Sequence, residues 1–173
     1  GRKETGKNVQ VLIDFFMAGK DAGLLPEDLH LVIGGGGSFT DLLRPQAVGR
    51  PDIIDLPRLS EREKHQAMKH SLAVVQPSLN ESFSIVIMEA WLLGTAVMVH
   101  SQCAVTRDHV VRSGGGLYFS GEDDFIGATQ FLISDPEARR ELAEAGFQYV
   151  KTRYAWDAVL DRFDSVVGEL LAA

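Results

Sequence analysis

LAVVQPSLNESFSIVIMEAWLLGTAVMVH, residues 72–100, decides the fold. It opens with an apolar run, LAVVQ, and closes with a second, AVMVH at 96–100. Both are rich in Val, Leu and Ala without strict polar alternation, the pattern of strands buried on both faces. Between them a polar loop leads into an apolar stretch of helical length that stops at Gly94, a residue suited to a helix C-terminus. Strand, helix and strand at this spacing form a crossover between parallel strands.

The same alternation extends in both directions. Residues 29–33 (LHLVI), 53–56 and 117–119 are further strand candidates. Val9, Leu12, Ile13 and Phe16 recur at helical spacing behind Asn8, a candidate N-cap. SERE at 60–63 is a capping box that opens a helix through His70, and Asp135-Pro136 is a cap followed by a first-turn proline. Trp156, Val159, Leu160, Phe163, Val167 and Leu170 form a last apolar stripe. The expected fold is α/β, a doubly wound parallel sheet with helices on both faces, in one domain over 1–173. Ligands of such sheets bind beyond the carboxyl ends of the strands.

Composition narrows the partners. Seventeen basic and 24 acidic residues give a net charge of −7, which disfavours nucleic acid. The single cysteine, Cys103, excludes an internal disulfide and fits a reducing, cytoplasmic setting. No apolar run approaches the roughly 20 residues that span a bilayer.

Three stretches could carry chemistry. GRKETGKN, residues 1–8, nearly matches a phosphate-binding P-loop, but Asn8 replaces the Ser or Thr that ligates magnesium. Only Asp55 could supply the acidic residue at a strand end, so the hydrolase reading is weak. The glycines at 34–37 follow a strand and precede an expected helix near Ser38, yet lack a G-x-G-x-x-G spacing. The third stretch is the loop with Glu81, Ser82, Phe83 and Ser84. Ser82 or Ser84 can cap the next helix, whose free amides and dipole suit an anion. Glu89, separated from Glu81 by seven residues, lies in an apolar helix, where a buried carboxylate needs a partner, either a cation or a ligand.

These residues resemble the E-x7-E region of retaining GT-B glycosyltransferases, the glycosyl transferase group 1 or family 4 type. The matching positions are Pro77-Ser78, Glu81, Phe83, Glu89-Ala90 and Gly94-Thr95-Ala96-Val97, with Gly1-Arg2 and Lys7-Asn8 matching the opening of the donor domain. The resemblance implies that Arg2 and Lys7 clamp the diphosphate of a nucleotide sugar beside backbone amides at Ser82, Phe83 and Ser84. It implies that Glu81 contacts the donor sugar, completing a catalytic set of Glu81, Arg2 and Lys7. Glu89 would bind the ribose, and Arg58 and Leu59, after Pro57, would face the base. No metal or other cofactor is implied. Family glycines on either side of Phe83 are replaced by Ser82 and Ser84, and in the loop SQCAVTRDHVV two further glycines become Ala104 and Val105. A phosphate loop also needs a strand before it, so the chain is expected to be a donor-binding half with its first strand missing. The acceptor domain, and any peripheral membrane association, would lie in an absent N-terminal domain. A nucleotide-sugar epimerase and a non-catalytic nucleotide-binding domain are the alternatives.

Overall fold

The computed structural model describes residues 5–36, 47–56 and 58–172. Arg2, Gly37, Ser38 and Pro57 therefore lie outside the described residues. Within them a short 3-10 turn, Thr5–Lys7, leads into α1 (Val9–Asp21), followed by β1 (Leu31–Gly34) and β2 (Ile53–Leu56). Then come α2 (Glu61–Lys69), β3 (Val74–Gln76), α3 (Ile85–Leu92), β4 (Val97–His100), α4 (Ala104–Ser113) and β5 (Gly116–Phe119). Three helices end the chain: α5 (Glu122–Ser134), α6 (Pro136–Tyr154) and α7 (Trp156–Ala172).

All described strand pairs are parallel, in two ladders, β1-β2 and β3-β4-β5. One core joins them. In β4, Met98 packs with Ile33, Ile53 and Phe119 against Leu12, Ile13 and Phe16 of α1 and Phe125, Ile126 and Leu132 of α5. Val97 and Val99 point the other way, onto Ile87, Ala90 and Trp91 of α3, Val110 of α4 and Tyr149 of α6. That alternation is the physical content of helices on both faces. The expectation of two buried faces holds for β4, whose four residues are all buried. It does not hold for β1 and β2, where Val32 and Ile54 are exposed and, among the described residues, belong to neither apolar cluster.

The local signals act as read, with two corrections. Ser60 accepts from the Glu63 amide while the Glu63 carboxylate reaches back to Ser60, closing the capping box. Asp135 accepts from the Ala138 amide ahead of Pro136, and Gly94 ends α3 at φ 74°. Asn8 is at the N-cap of α1 but in the left-handed region (φ 53°) instead of the extended conformation from which a side chain caps a helix, and it makes no side-chain cap bond. The stretch SQCAVTRDHVV is largely the helix α4 rather than a loop. Arg112 pairs with Asp108 one turn earlier, and Gly114 in the left-handed region ends it.

The stripe of α7 is present, with Val159 and Val167 half-buried but its largest side chains exposed. Trp156, Leu160, Phe163 and Leu170 are 78%, 50%, 64% and 72% exposed. Among the described residues, no helix is long and apolar enough to cross a membrane.

Candidate nucleotide-binding site

The loop after β3 and the segment before α1 meet at the carboxyl ends of the strands. Lys7 Nζ donates to Glu81 Oε1 at 2.6 Å, linking positions 74 apart in sequence. Glu81 is drawn in further by Gln76, the last residue of β3, whose Nε2 donates to it at 3.1 Å. The Glu81 side chain is 10% exposed and that of Lys7 30%. The ammonium thus keeps an open side and N–H donors beyond the one given to Glu81.

Residues 81–84 precede α3 without belonging to it. Ser84 is the N-cap residue in the left-handed region, φ 67° and ψ 68°, and makes no side-chain cap bond. Its Oγ instead accepts from Gln76 Nε2 at 3.3 Å. Serine therefore stands in a conformation that glycine adopts without steric cost, which accounts for the glycine usual in the resembling pattern. Ser84→Gly is expected to stabilise the chain by about 0.5–1 kcal/mol, raising the thermal midpoint by about 1–4 °C. A lower midpoint would mean that the bond to Gln76 outweighs the strain.

Ser82 is exposed, whereas the Phe83 ring is committed to the protein interior against His109 and Tyr154. The apolar helix also predicts a buried Glu89, and there the structure differs. Glu89 is 26% exposed because its side chain leans toward α2, where Lys64 Nζ donates to it at 2.9 Å. Lys64 also pairs with Glu61 at 2.6 Å. Hydrogen bonds to Glu61 and then Glu89 raise the Lys64 pKa against the opposing effect of burial. Glu61, His65 and Glu89 bring one donor atom each within 4.8 Å of one another, but the Lys64 ammonium is already paired with both carboxylates.

Leu59 is half-buried and Arg58 exposed. Both border the glycine-rich end of β1: a Cβ on Gly34 would lie 3.1 Å from the Leu59 side chain, and one on Gly36 3.8 Å from Arg58. The structure thus gathers Lys7, Glu81, Ser84, Glu89, Arg58 and Leu59 along one edge of the strands. A cleft of about 530 Å³ lies at the opposite, amino-terminal edge of β1 and β2. Its two cations are engaged there, Lys20 with the carbonyls of Pro26, Glu27 and Leu29 and Arg50 with Asp21 and Asp52.

Residues 1–149 match the family model described as "Glycosyl transferases group 1". The chain belongs to this family. A D-inositol 3-phosphate glycosyltransferase of Xylanimonas cellulosilytica is 31% identical over 145 residues, covering 77% of this chain and 34% of the relative. Among solved structures, the C-terminal domain of a glycosyl transferase group 1 family protein (LpcC) from Francisella tularensis superposes with a TM-score of 0.74 at 21% identity. It covers 90% of this chain and 84% of that one. Anabaena Alr3699/HepE, solved with UDP and glucose, gives a TM-score of 0.81 at 17% identity over 98% of this chain and 47% of its own. The fold is the Rossmann-like C-terminal domain of GT-B glycosyltransferases. This group 1 chain spans about a third of the length of the curated relatives it matches.

Sequence reasoning missed Lys64 and His109. The spacing of Lys64 behind the capping box places it on α2 but not against Glu89. His109 sits among ordinary helix residues and carries no motif signal.

Proposed function

We propose that this group 1 domain is the donor-binding half of a retaining, family 4 type glycosyltransferase that transfers a hexosyl group from a nucleoside diphosphate sugar. The observation that carries the reading is the meeting of Lys7 with the loop that starts α3. A cation and free helix amides at one point suit the two phosphates of a leaving nucleoside diphosphate. As the bond from the sugar to the phosphate oxygen breaks, charge grows on that oxygen, and groups already oriented toward it stabilise the transition state.

In this reading Lys7 turns part of its donor capacity from Glu81 to a phosphate oxygen, and Arg2 adds a bidentate fork. Glu81, released from its pair, faces the sugar. Glu89, steadied by Lys64, accepts from the ribose hydroxyls, while Arg58 and Leu59 border the base. The side-chain cations and the helix dipole fill the role a metal takes in other phosphate sites. HepE's binding of UDP makes UDP the natural first probe. The acceptor, and catalysis by a cytoplasmic whole enzyme, belong to a second domain, and the exposed face of α7 is the surface offered to it. The isolated chain should therefore bind donor without turnover.

Calorimetric titration of the chain with UDP, GDP and ADP, and with the free nucleosides, tests this. Binding of at least one diphosphate, with its nucleoside far weaker and with no need for magnesium, is expected. Equal affinity for diphosphate and nucleoside, or none for either, would refute it. The serine side chains at 82 and 84 favour one second reading, a domain that holds nucleotide without transfer. Sugar transfer after fusion to a matching N-terminal domain would exclude that.

A further inference from the structure

We infer that His109, backed by Tyr149 and Tyr154, is a positioning residue for the loop at 81–84, an inference that rests on the donor-binding reading. The loop belongs to no ladder or helix and needs anchors of another kind. One end is held by Lys7 and Gln76 through Glu81, and the other is Ser84 in its left-handed turn. Phe83 anchors the middle. Its ring meets the His109 ring edge-on at 5.2 Å and Tyr154 at 5.1 Å.

Behind Phe83 the anchor is polar. His109 Nδ1 lies 2.9 Å from the Tyr149 hydroxyl, which is 3.3 Å from the Tyr154 hydroxyl. Tyr149 also packs edge-on against Trp91 of α3, at 5.8 Å. The chain from His109 through Tyr149 to Tyr154 therefore ties α4 and α6 to both the loop and the helix it feeds. An aliphatic side chain at 109 would fill the space without desolvating an imidazole. Burial lowers the His109 pKa, while Asp108 and the Phe83 carbonyl favour the charged form and Arg112 opposes it. A buried hydrogen-bonding group at that cost fixes an orientation that dispersion contacts alone leave loose. The ring hydrogen-bonds Tyr149 on one side and meets the Phe83 ring edge-on on the other. The amides that meet phosphate oxygens are thereby aimed before any ligand arrives.

The test measures UDP and inorganic pyrophosphate affinity of the full chain and of His109→Val, Tyr149→Phe and His109→Gln. Loss of one aimed hydrogen bond predicts about five-fold weaker binding of both ligands in His109→Val and Tyr149→Phe. Glutamine, which retains a donor and an acceptor, should restore most of it. Unchanged UDP affinity in folded variants with lowered thermal midpoints would overturn the inference by showing a structural role alone. So would a loss confined to UDP and absent for pyrophosphate. Should His109→Val fail to fold, Tyr149→Phe decides by the same criteria. If the unaltered chain binds neither ligand, the donor-binding reading fails, and this inference with it.

Discussion

Replacing Gly146 by alanine should destabilise the chain by about 2–3 kcal/mol, although alanine is the better helix former by about 1 kcal/mol. Gly146 lies inside α6 where that helix crosses α3, and a Cβ there would sit 2.1 Å from Trp91 Cδ1 and 2.3 Å from Nε1. Trp91 cannot yield. It is fully buried, and its Nε1 donates to the Gly115 carbonyl at 2.7 Å. Gly115 is itself so close that its own Cβ would fall 2.6 Å from the Gly146 backbone. Gly127 in α5 serves as control, because a Cβ added there would meet nothing within 4 Å. Urea denaturation should show Gly146→Ala losing stability while Gly127→Ala gains about 0.5–1 kcal/mol. A gain in both would mean that α3 and α6 are not packed this closely.

The second large effect is on binding. Lys7→Met should weaken UDP by about 1.5–3 kcal/mol, roughly ten- to a hundred-fold, and uridine far less. Methionine keeps most of the apolar stem and removes the ammonium, with its charge and its N–H donors. The Lys7 end of the pair is 30% exposed, and Glu81, though only 10% exposed, keeps its hydrogen bond from Gln76, so losing the pair should cost about 1–2 kcal/mol of stability. The prediction is thus a loss of diphosphate affinity that is not shared by uridine, in a variant that remains folded. Equal losses for UDP and uridine would show that Lys7 does not contact phosphate.

Most of the architecture was legible because it is written in short-range pattern. The run at 53–56 is β2 as read, and the capping box, Pro136 and Gly94 mark helix ends through interactions within four residues. The runs at 29–33 and 72–76 overshoot. β1 starts only at Leu31, where pairing with Ile53 begins, and the Leu29 amide closes a turn onto Pro26 instead. Ladder length depends on a partner that the run does not contain.

The site was legible in part. The loop at 81–84 and Lys7 were identifiable from the motif, and the structure brings Lys7 to Glu81. What pattern could not supply were contacts between distant elements: Lys64 on Glu89, or His109 behind Phe83. Hydrophobicity likewise marked α7 as a stripe in need of cover without saying that its largest side chains stay exposed. Ser84 is a subtler case, since its strain lies in a backbone angle that the residue type does not announce.

A crystal structure of the chain with UDP tests the central claim most directly. A phosphate oxygen about 3 Å from Lys7 Nζ and from the amides that open α3, with the ribose near Glu89, is the predicted result. Diphosphate bound in the cleft beside Lys20 and Arg50, at the opposite edge of the strands, would contradict it.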